Sequence, residues 1–247
     1  MTTWQERVVH RIREAPCCAL FLDFDGTLAE FTPEPQEARL SSAAKRVLGT
    51  LARKRRVRLF FISGRRRDDL LKRVGLRGCK YLGLFGAEQT ARPRLRRSAV
   101  IHQVKAEVEA RIADLPGVWV EDKGPAFVLH YRDAPRRVRA RVRRQLRAVL
   151  QTTGGARHFE SAHGLEVVPP EVRGKGAVVS QLLRRPALRR ALPIYLGDDV
   201  SDESAFRAAR QGVTVRVGSR RATAARYALR NPSEVRTFLQ LITTALQ

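Results

Sequence analysis

Cysteine is scarce. Cys17, Cys18 and Cys79 are the only three, and two of them are adjacent. An odd, partly adjacent set excludes a disulfide framework and is too sparse for a structural zinc site. The expectation is reduced thiols buried at the starts of apolar strands, in a cytoplasmic protein. No stretch approaches the roughly 18 apolar residues that a membrane helix needs. The longest apolar run, Cys17 to Leu22, has the length of a strand. Residues 1–15 mix apolar side chains with Glu6, Arg7, Arg11, Arg13 and Glu14. That excludes the apolar core of a secretory leader and predicts a polar first helix. Aromatics are few, with two Trp and four Tyr, and none interleave with basic residues as a nucleic-acid stacking surface requires. Acidic residues are also short, 24 against 48 Lys+Arg, for a net charge of +24 over 247 residues.

That charge alone would propose a polyanion partner. A hydrophobic fraction of 43% supports a real core and excludes a disordered basic tail. Residues 92–168 carry +8 of the total, so the excess is spread along the chain. Only seven of the 48 basic residues are Lys. Such an Arg-dominated, dispersed excess suits a general compositional bias better than one evolved surface. The helix predicted at 135–150 shows the pattern: Val138, Val142, Leu146 and Val149 form one apolar stripe, and arginines fill the other faces. No specific nucleic-acid partner is expected.

Short apolar runs at 19–24, 57–62, 80–85, 192–197 and 213–217 alternate with helical patterns at 41–54, 67–74, 174–184, 202–210 and 232–245. This alternation predicts an α/β fold with a doubly wound parallel sheet. The rhythm breaks between 98 and 168. There the pattern reads helix, strands 117–122 and 126–132, helix, strands 156–160 and 164–168. Lys123-Gly124-Pro125 and Ser161 to His163 serve as hairpin turns. The predicted organisation is therefore a core of 1–91 and 169–247 with an inserted α+β domain at 92–168.

Polar residues follow four of the core runs, Asp23 to Thr27, Ser63 to Arg65, Glu88, and Asp198 to Asp202, where doubly wound sheets bind ligands, and a fifth group opens a helix. Asp23-Phe24-Asp25-Gly26-Thr27 sets two carboxylates close together; their repulsion favours a cation, and all-oxygen donors favour Mg²⁺. Ser63-Gly64-Arg65 suits a phosphate oxygen, or equally a helix N-cap. Lys175 opens a helix, where its charge opposes the dipole unless an anion is bound. Asp198, Asp199, Asp202 and Glu203 crowd one turn, either as a surface acidic loop or as the second half of a metal site.

In this order the four clusters resemble the haloacid dehalogenase superfamily of phosphotransferases. The resemblance implies a haloacid dehalogenase-like core with a cap inserted between Ser63 and Lys175. It implies that Asp23 is the nucleophile, forming an aspartyl-phosphate, and that Asp25 is the general acid and then base. Mg²⁺ would be held by Asp23, Asp25 and Asp198, with Asp199 and Asp202 around it. Thr27, Ser63, Gly64 and Lys175 would hold the phosphoryl oxygens.

The insert narrows the resemblance. Glu121-Asp122-Lys123-Gly124 running into His130-Tyr131-Arg132, Gly86-Ala87-Glu88, and Glu166-Val167-Val168-Pro169 resemble the trehalose-6-phosphate phosphatases. The family usually has His-Gly at Phe85-Gly86, and Gly-Lys at Ser161-Ala162. The resemblance implies hydrolysis of trehalose 6-phosphate, with Glu121, Lys123 and Glu166 on the distal glucose and with Arg65, Gly86, Glu88, His130 and Arg132 as further sugar contacts. On residue chemistry alone, Glu121 and Lys123 equally describe an exposed hairpin ion pair. The alternatives are a phosphatase for sucrose or glucosylglycerol phosphate and, more remotely, an Arg-rich nucleic-acid binder. A separate protein would supply the sugar-phosphate synthase, and the cap would close on the core during turnover.

Overall fold

A computed structural model describes residues 3–32, 35–90, 95, 98–161, 164–219 and 222–247, with only the backbone of Thr3 and Pro35. The chain divides into two compact units, Met1–Ala91 with Gly174–Gln247, and Arg92–Arg173. Residues 169–173 thus group with the second unit. The predicted boundary at Arg92 and the turn residues Ala162 and His163 lie outside the described residues.

The first unit is built on a six-stranded parallel sheet. Its strands are β1 (Cys18–Leu22), β2 (Val57–Ile62), β3 (Lys80–Leu82), β8 (Leu192–Gly197), β9 (Val213–Val217) and β10 (Tyr227–Leu229). Its helices are α1 (Thr3–Glu14), α2 (Ser42–Arg53), α3 (Arg67–Val74), α6 (Lys175–Leu183), α7 (Glu203–Ala208) and α8 (Pro232–Ala245). The spatial order is β10-β9-β8-β1-β2-β3, so the chain winds outward from β1 in both directions. β1 is buried on both faces, which is why it reads as an unbroken apolar run. Cys18, Leu20 and Leu22 pack with side chains of α1, α2, α3 and α8. Ala19 and Phe21 pack with those of α6 and α7 on the opposite face.

Register decides where the site forms. Leu22 lies beside Phe61 of β2 and Leu196 of β8. The carboxyl ends of these three strands therefore finish together, at the point where the winding reverses.

The second unit is a four-stranded antiparallel sheet in the order β4-β5-β7-β6, with β4 (Trp119–Asp122), β5 (Phe127–His130), β6 (Arg157–Glu160) and β7 (Gly164–Val168). Phe127 and Leu129 of β5 and Leu165 and Val167 of β7 form its core with α4 (Ala99–Ile112) and α5 (Arg136–Thr153). The predicted stripe on α5 buries Val142, Leu146 and Val149. No helix among the described residues is long and apolar enough to cross a membrane.

Four departures have local causes. The predicted strand 80–85 ends at Leu82, because Leu84 and Phe85 take positive φ of 45° and 56°. The predicted strand 126–132 ends at His130, so Arg132 lies in a turn and does not share a strand face with His130. β10 is a three-residue edge strand with too little apolar pattern to read in advance. Cys18 is buried as expected, whereas Cys17 and Cys79 are half-exposed; all three are free thiols.

Candidate active site

β1 delivers Asp23 to the sheet edge, where it is 4% exposed and its N–H donates to Leu196 O at 3.0 Å. The chain then turns sharply, with the Leu28 and Ala29 N–H groups both donating to Phe24 O. Gly26 has φ +71°, and a Cβ there would stand 2.2 Å from Asp198 Oδ2. Glycine is what lets the loop after β1 and the loop after β8 touch. Thr27 is fully buried, and its hydroxyl donates to Asp198 Oδ1 at 3.1 Å. The Thr27 hydroxyl thus orients Asp198.

β8 delivers the other acids. Asp199 Oδ1 accepts the Val200 N–H, and Asp202 Oδ2 accepts the Asp199 N–H, a reciprocal cap on the turn that leads into α7. Asp202 is fully buried, and its Oδ1 accepts from Lys175 Nζ at 2.8 Å and Tyr195 Oη at 2.6 Å. Lys175, also buried as the first residue of α6, lies 3.0 Å from Asp23 Oδ1. The ammonium that looked misplaced at a helix start is thus clamped between two buried carboxylates.

Asp23, Asp198 and Asp202 each offer an oxygen within 4.8 Å of the others. Burial, with the Asp202 charge adding to it, pushes the Asp23 carboxyl well above the usual carboxylate range despite Lys175. Burial and then Asp202 push Asp198 up to about 7. Burial pulls Lys175 down, but Asp202 and Asp23 more than offset it and hold the ammonium above its ordinary value. Three carboxylates face one ammonium, so negative charge is under-compensated. Hard oxygen donors suit Mg²⁺, and the residues present fit that ion.

Of the acids expected at or around the ion, Asp23, Asp198 and Asp202 form the side-chain cluster among the described residues. Asp199 Oδ1 caps the turn, as does Asp202 Oδ2. Asp25 is held by Arg65, whose Nη2 and Nε reach its two oxygens at 2.6 and 2.8 Å. Arg65 also donates to Asp69 Oδ2 at 2.9 Å, and Arg73 Nε reaches both oxygens of Asp69. The guanidinium expected on sugar therefore ties the loop after β1 to α3. Arg65→Met is expected to lower the unfolding free energy by about 2 kcal/mol, since partly buried Asp25 loses its guanidinium and Asp69 keeps only Arg73. Urea denaturation checks this, and a change within about 0.5 kcal/mol would contradict it.

Glu88 is likewise enclosed by protein. It is 2% exposed, its Oε2 accepts the Arg67 N–H at 2.8 Å, and Arg66 Nε lies 2.7 Å from Oε1 as an ion pair out of hydrogen-bond alignment. A carboxylate so enclosed anchors the start of α3. At Gly86 (φ +94°) a Cβ would meet Val178 Cγ2 at 2.5 Å, so this glycine admits α6 to the turn. The strained Leu84-Phe85 pair is held by Leu84 N–H to Arg65 O and Phe85 N–H to Ser63 O. Ser63 is buried, and its Oγ accepts the Arg65 N–H at 3.1 Å. The N-cap of α3 is Arg66, so Ser63 stands at the strand end beside Gly64 and is not the helix cap.

Within the second unit, Lys123 Nζ reaches Glu166 Oε2 at 3.1 Å, and His130 Nε2 lies 2.9 Å from Glu121 Oε2. Register sets Glu121 opposite Val128 and Val128 opposite Glu166, so both acids share one sheet face. Sequence reasoning missed Tyr195, whose position inside an apolar run reads as core. It also missed Trp119, although its two-residue spacing from Glu121 was a usable signal.

A doubly wound parallel core with buried acids where the winding reverses is the fold of the haloacid dehalogenase-like phosphatases. A phosphatase of that superfamily from Bacteroides thetaiotaomicron shares the fold, with TM-score 0.64 at 14% identity over 94% of this chain and 96% of that one. The C-terminal domain of C. albicans trehalose-6-phosphate phosphatase superposes more fully, with TM-score 0.87 at 20% identity over 97% of both chains. The trehalose-phosphatase family profile matches residues 21–233. The trehalose-phosphate phosphatase of Mycobacterium ulcerans (strain Agy99) is 35% identical over 239 residues, which are 90% of this chain and 60% of that protein. The chain thus spans about 60% of the length of that curated relative. It belongs to the trehalose-phosphatase family.

Proposed function

We propose that this chain hydrolyses trehalose 6-phosphate to trehalose and phosphate. The observation that carries this reading is the buried Asp23 carboxylate at the end of β1, 3.0 Å from Lys175 and grouped with Asp198 and Asp202. Asp23 attacks phosphorus, and the bond from phosphorus to the sugar oxygen breaks. Asp25 protonates the departing oxygen, which requires it to leave Arg65. Water then attacks the aspartyl-phosphate, Asp25 takes the water's proton, and Asp23 is released. Lys175 neutralises charge on the phosphoryl oxygens as it develops, and Ser63 and Gly64 supply further contacts there. Mg²⁺, held by Asp23, Asp198 and Asp202, would supply the remaining positive charge and polarise the phosphoryl group. The second unit, taken as a cap, contributes sugar recognition. Glu121 and Glu166 accept hydrogen bonds from vicinal hydroxyls, and Lys123 donates to others. His130 and Arg132 remain sugar contacts on this reading.

Phosphate release from trehalose 6-phosphate in Mg²⁺ buffer tests it. Release that stops with a chelator and returns with Mg²⁺ is expected. No release above the uncatalysed rate at any Mg²⁺ concentration would overturn it.

A further inference from the structure

The second unit holds a large aromatic that its core does not use. Trp119, the first residue of β4, is 52% exposed. An indole left in water forgoes the burial that makes Trp worth having, so its position calls for a ligand or partner. It is also held in place. His130 lies directly opposite across β4 and β5, with ring centroids 3.8 Å apart and planes 10° from parallel. The same imidazole lies 2.9 Å from Glu121, which fixes its edge. The indole is therefore a preorganised flat surface, with one face against His130.

Its neighbours narrow the occupant. The pleat puts Trp119 and Glu121 on one face of β4. Register carries that face to Val128 and His130 on β5 and to Gly164 and Glu166 on β7. The helices α4 and α5 cover the opposite face, through Phe127, Leu129, Leu165 and Val167. The other face thus combines an exposed indole, two carboxylates and the ammonium of Lys123, which reaches Glu166. A pyranose matches this mixture: one side of the ring is a flat array of C–H bonds, and its rim carries hydroxyls.

We propose that Trp119 is a specificity-determining residue, a platform on which a pyranose ring of the substrate stacks. The proposal rests on the sugar-phosphatase reading above and adds the residue that selects a disaccharide over a simple phosphate ester.

Fluorescence tests it without requiring turnover. The chain has only two tryptophans, and Trp4 stacks on Tyr227 in the first unit. Titrating trehalose should change emission saturably in the wild type and in Trp4→Phe, and should give no change in Trp119→Phe. Kinetics give the second arm. Trp119→Ala should raise KM for trehalose 6-phosphate roughly tenfold while kcat falls no more than about threefold, and Trp119→Phe should recover most of the KM. A silent wild-type titration at saturating trehalose, or a KM unchanged within about twofold in Trp119→Ala, would overturn stacking. A wild type that hydrolyses no sugar phosphate but gives the saturable signal would overturn the catalytic reading and leave stacking supported.

Discussion

Asp23→Asn is expected to abolish turnover, by roughly 10⁴-fold or more, and to make the protein more stable in metal-free buffer. The first effect follows from chemistry: an amide at that position has no carboxylate oxygen to form the acyl-phosphate. The second follows from burial. Folding raises the Asp23 pKa above its ordinary value, chiefly by desolvation and then by the Asp202 charge. Ionised Asp23 therefore opposes folding at neutral pH, and a neutral amide of the same shape removes that opposition. Lys175 keeps Asp202 as a partner at 2.8 Å, so the variant does not strand a buried ammonium. A rise in Tm of about 3 °C is expected, measured by thermal unfolding in chelator. A comparable fall in Tm would show that Asp23 is held as a stabilising partner of Lys175, and retained turnover would remove it as nucleophile.

Lys175→Met should act in the opposite sense on stability. It leaves three clustered carboxylates, one of them fully buried, without their ammonium. Breaking a buried pair from one side costs about 3–5 kcal/mol. For a chain of this size that is a fall in Tm of about 10 °C. Turnover should fall by roughly 10³-fold, as when a charge-stabilising donor is removed. Adding Asp202→Asn to Lys175→Met separates the causes. If uncompensated charge is the reason, the double variant regains several degrees while remaining inactive, a non-additivity proper to contacting residues. If the double variant is less stable than Lys175→Met, packing around the lysine stem is the dominant loss.

These two variants touch the part of the site that the sequence made legible. Asp23 and Asp198 follow strands buried on both faces, and such strands stand out as apolar runs that stop at a polar residue. Lys175 was legible through a conflict, a cation at a helix start, and the pair of buried carboxylates resolves it. What sequence could not supply was pairing. Nothing local marks Arg65 as the partner of Asp25, because that contact depends on how the loop after β1 meets the end of β2. Glu88 sat in a motif associated with substrate, yet its burial beneath the start of α3 emerges only from three-dimensional packing. Leu84 and Phe85 gave no warning of positive φ, since bulky residues rarely adopt it. Trp119 and Tyr195 were hidden differently. One was the single tryptophan of a basic insert, and the other was an aromatic inside an apolar strand whose hydroxyl found Asp202.

The central claim is that a phosphoryl-transfer core and a sugar-reading unit act on one disaccharide phosphate. Comparing kcat/KM for trehalose 6-phosphate, sucrose 6-phosphate and glucose 6-phosphate, with the intact chain in Mg²⁺ buffer, tests it most directly. Trehalose 6-phosphate is expected to lead glucose 6-phosphate by roughly 100-fold, the size of a few lost hydrogen bonds and one stacking contact. Equal values for the two would contradict it, and a lead by sucrose 6-phosphate would assign the same chemistry to a different disaccharide.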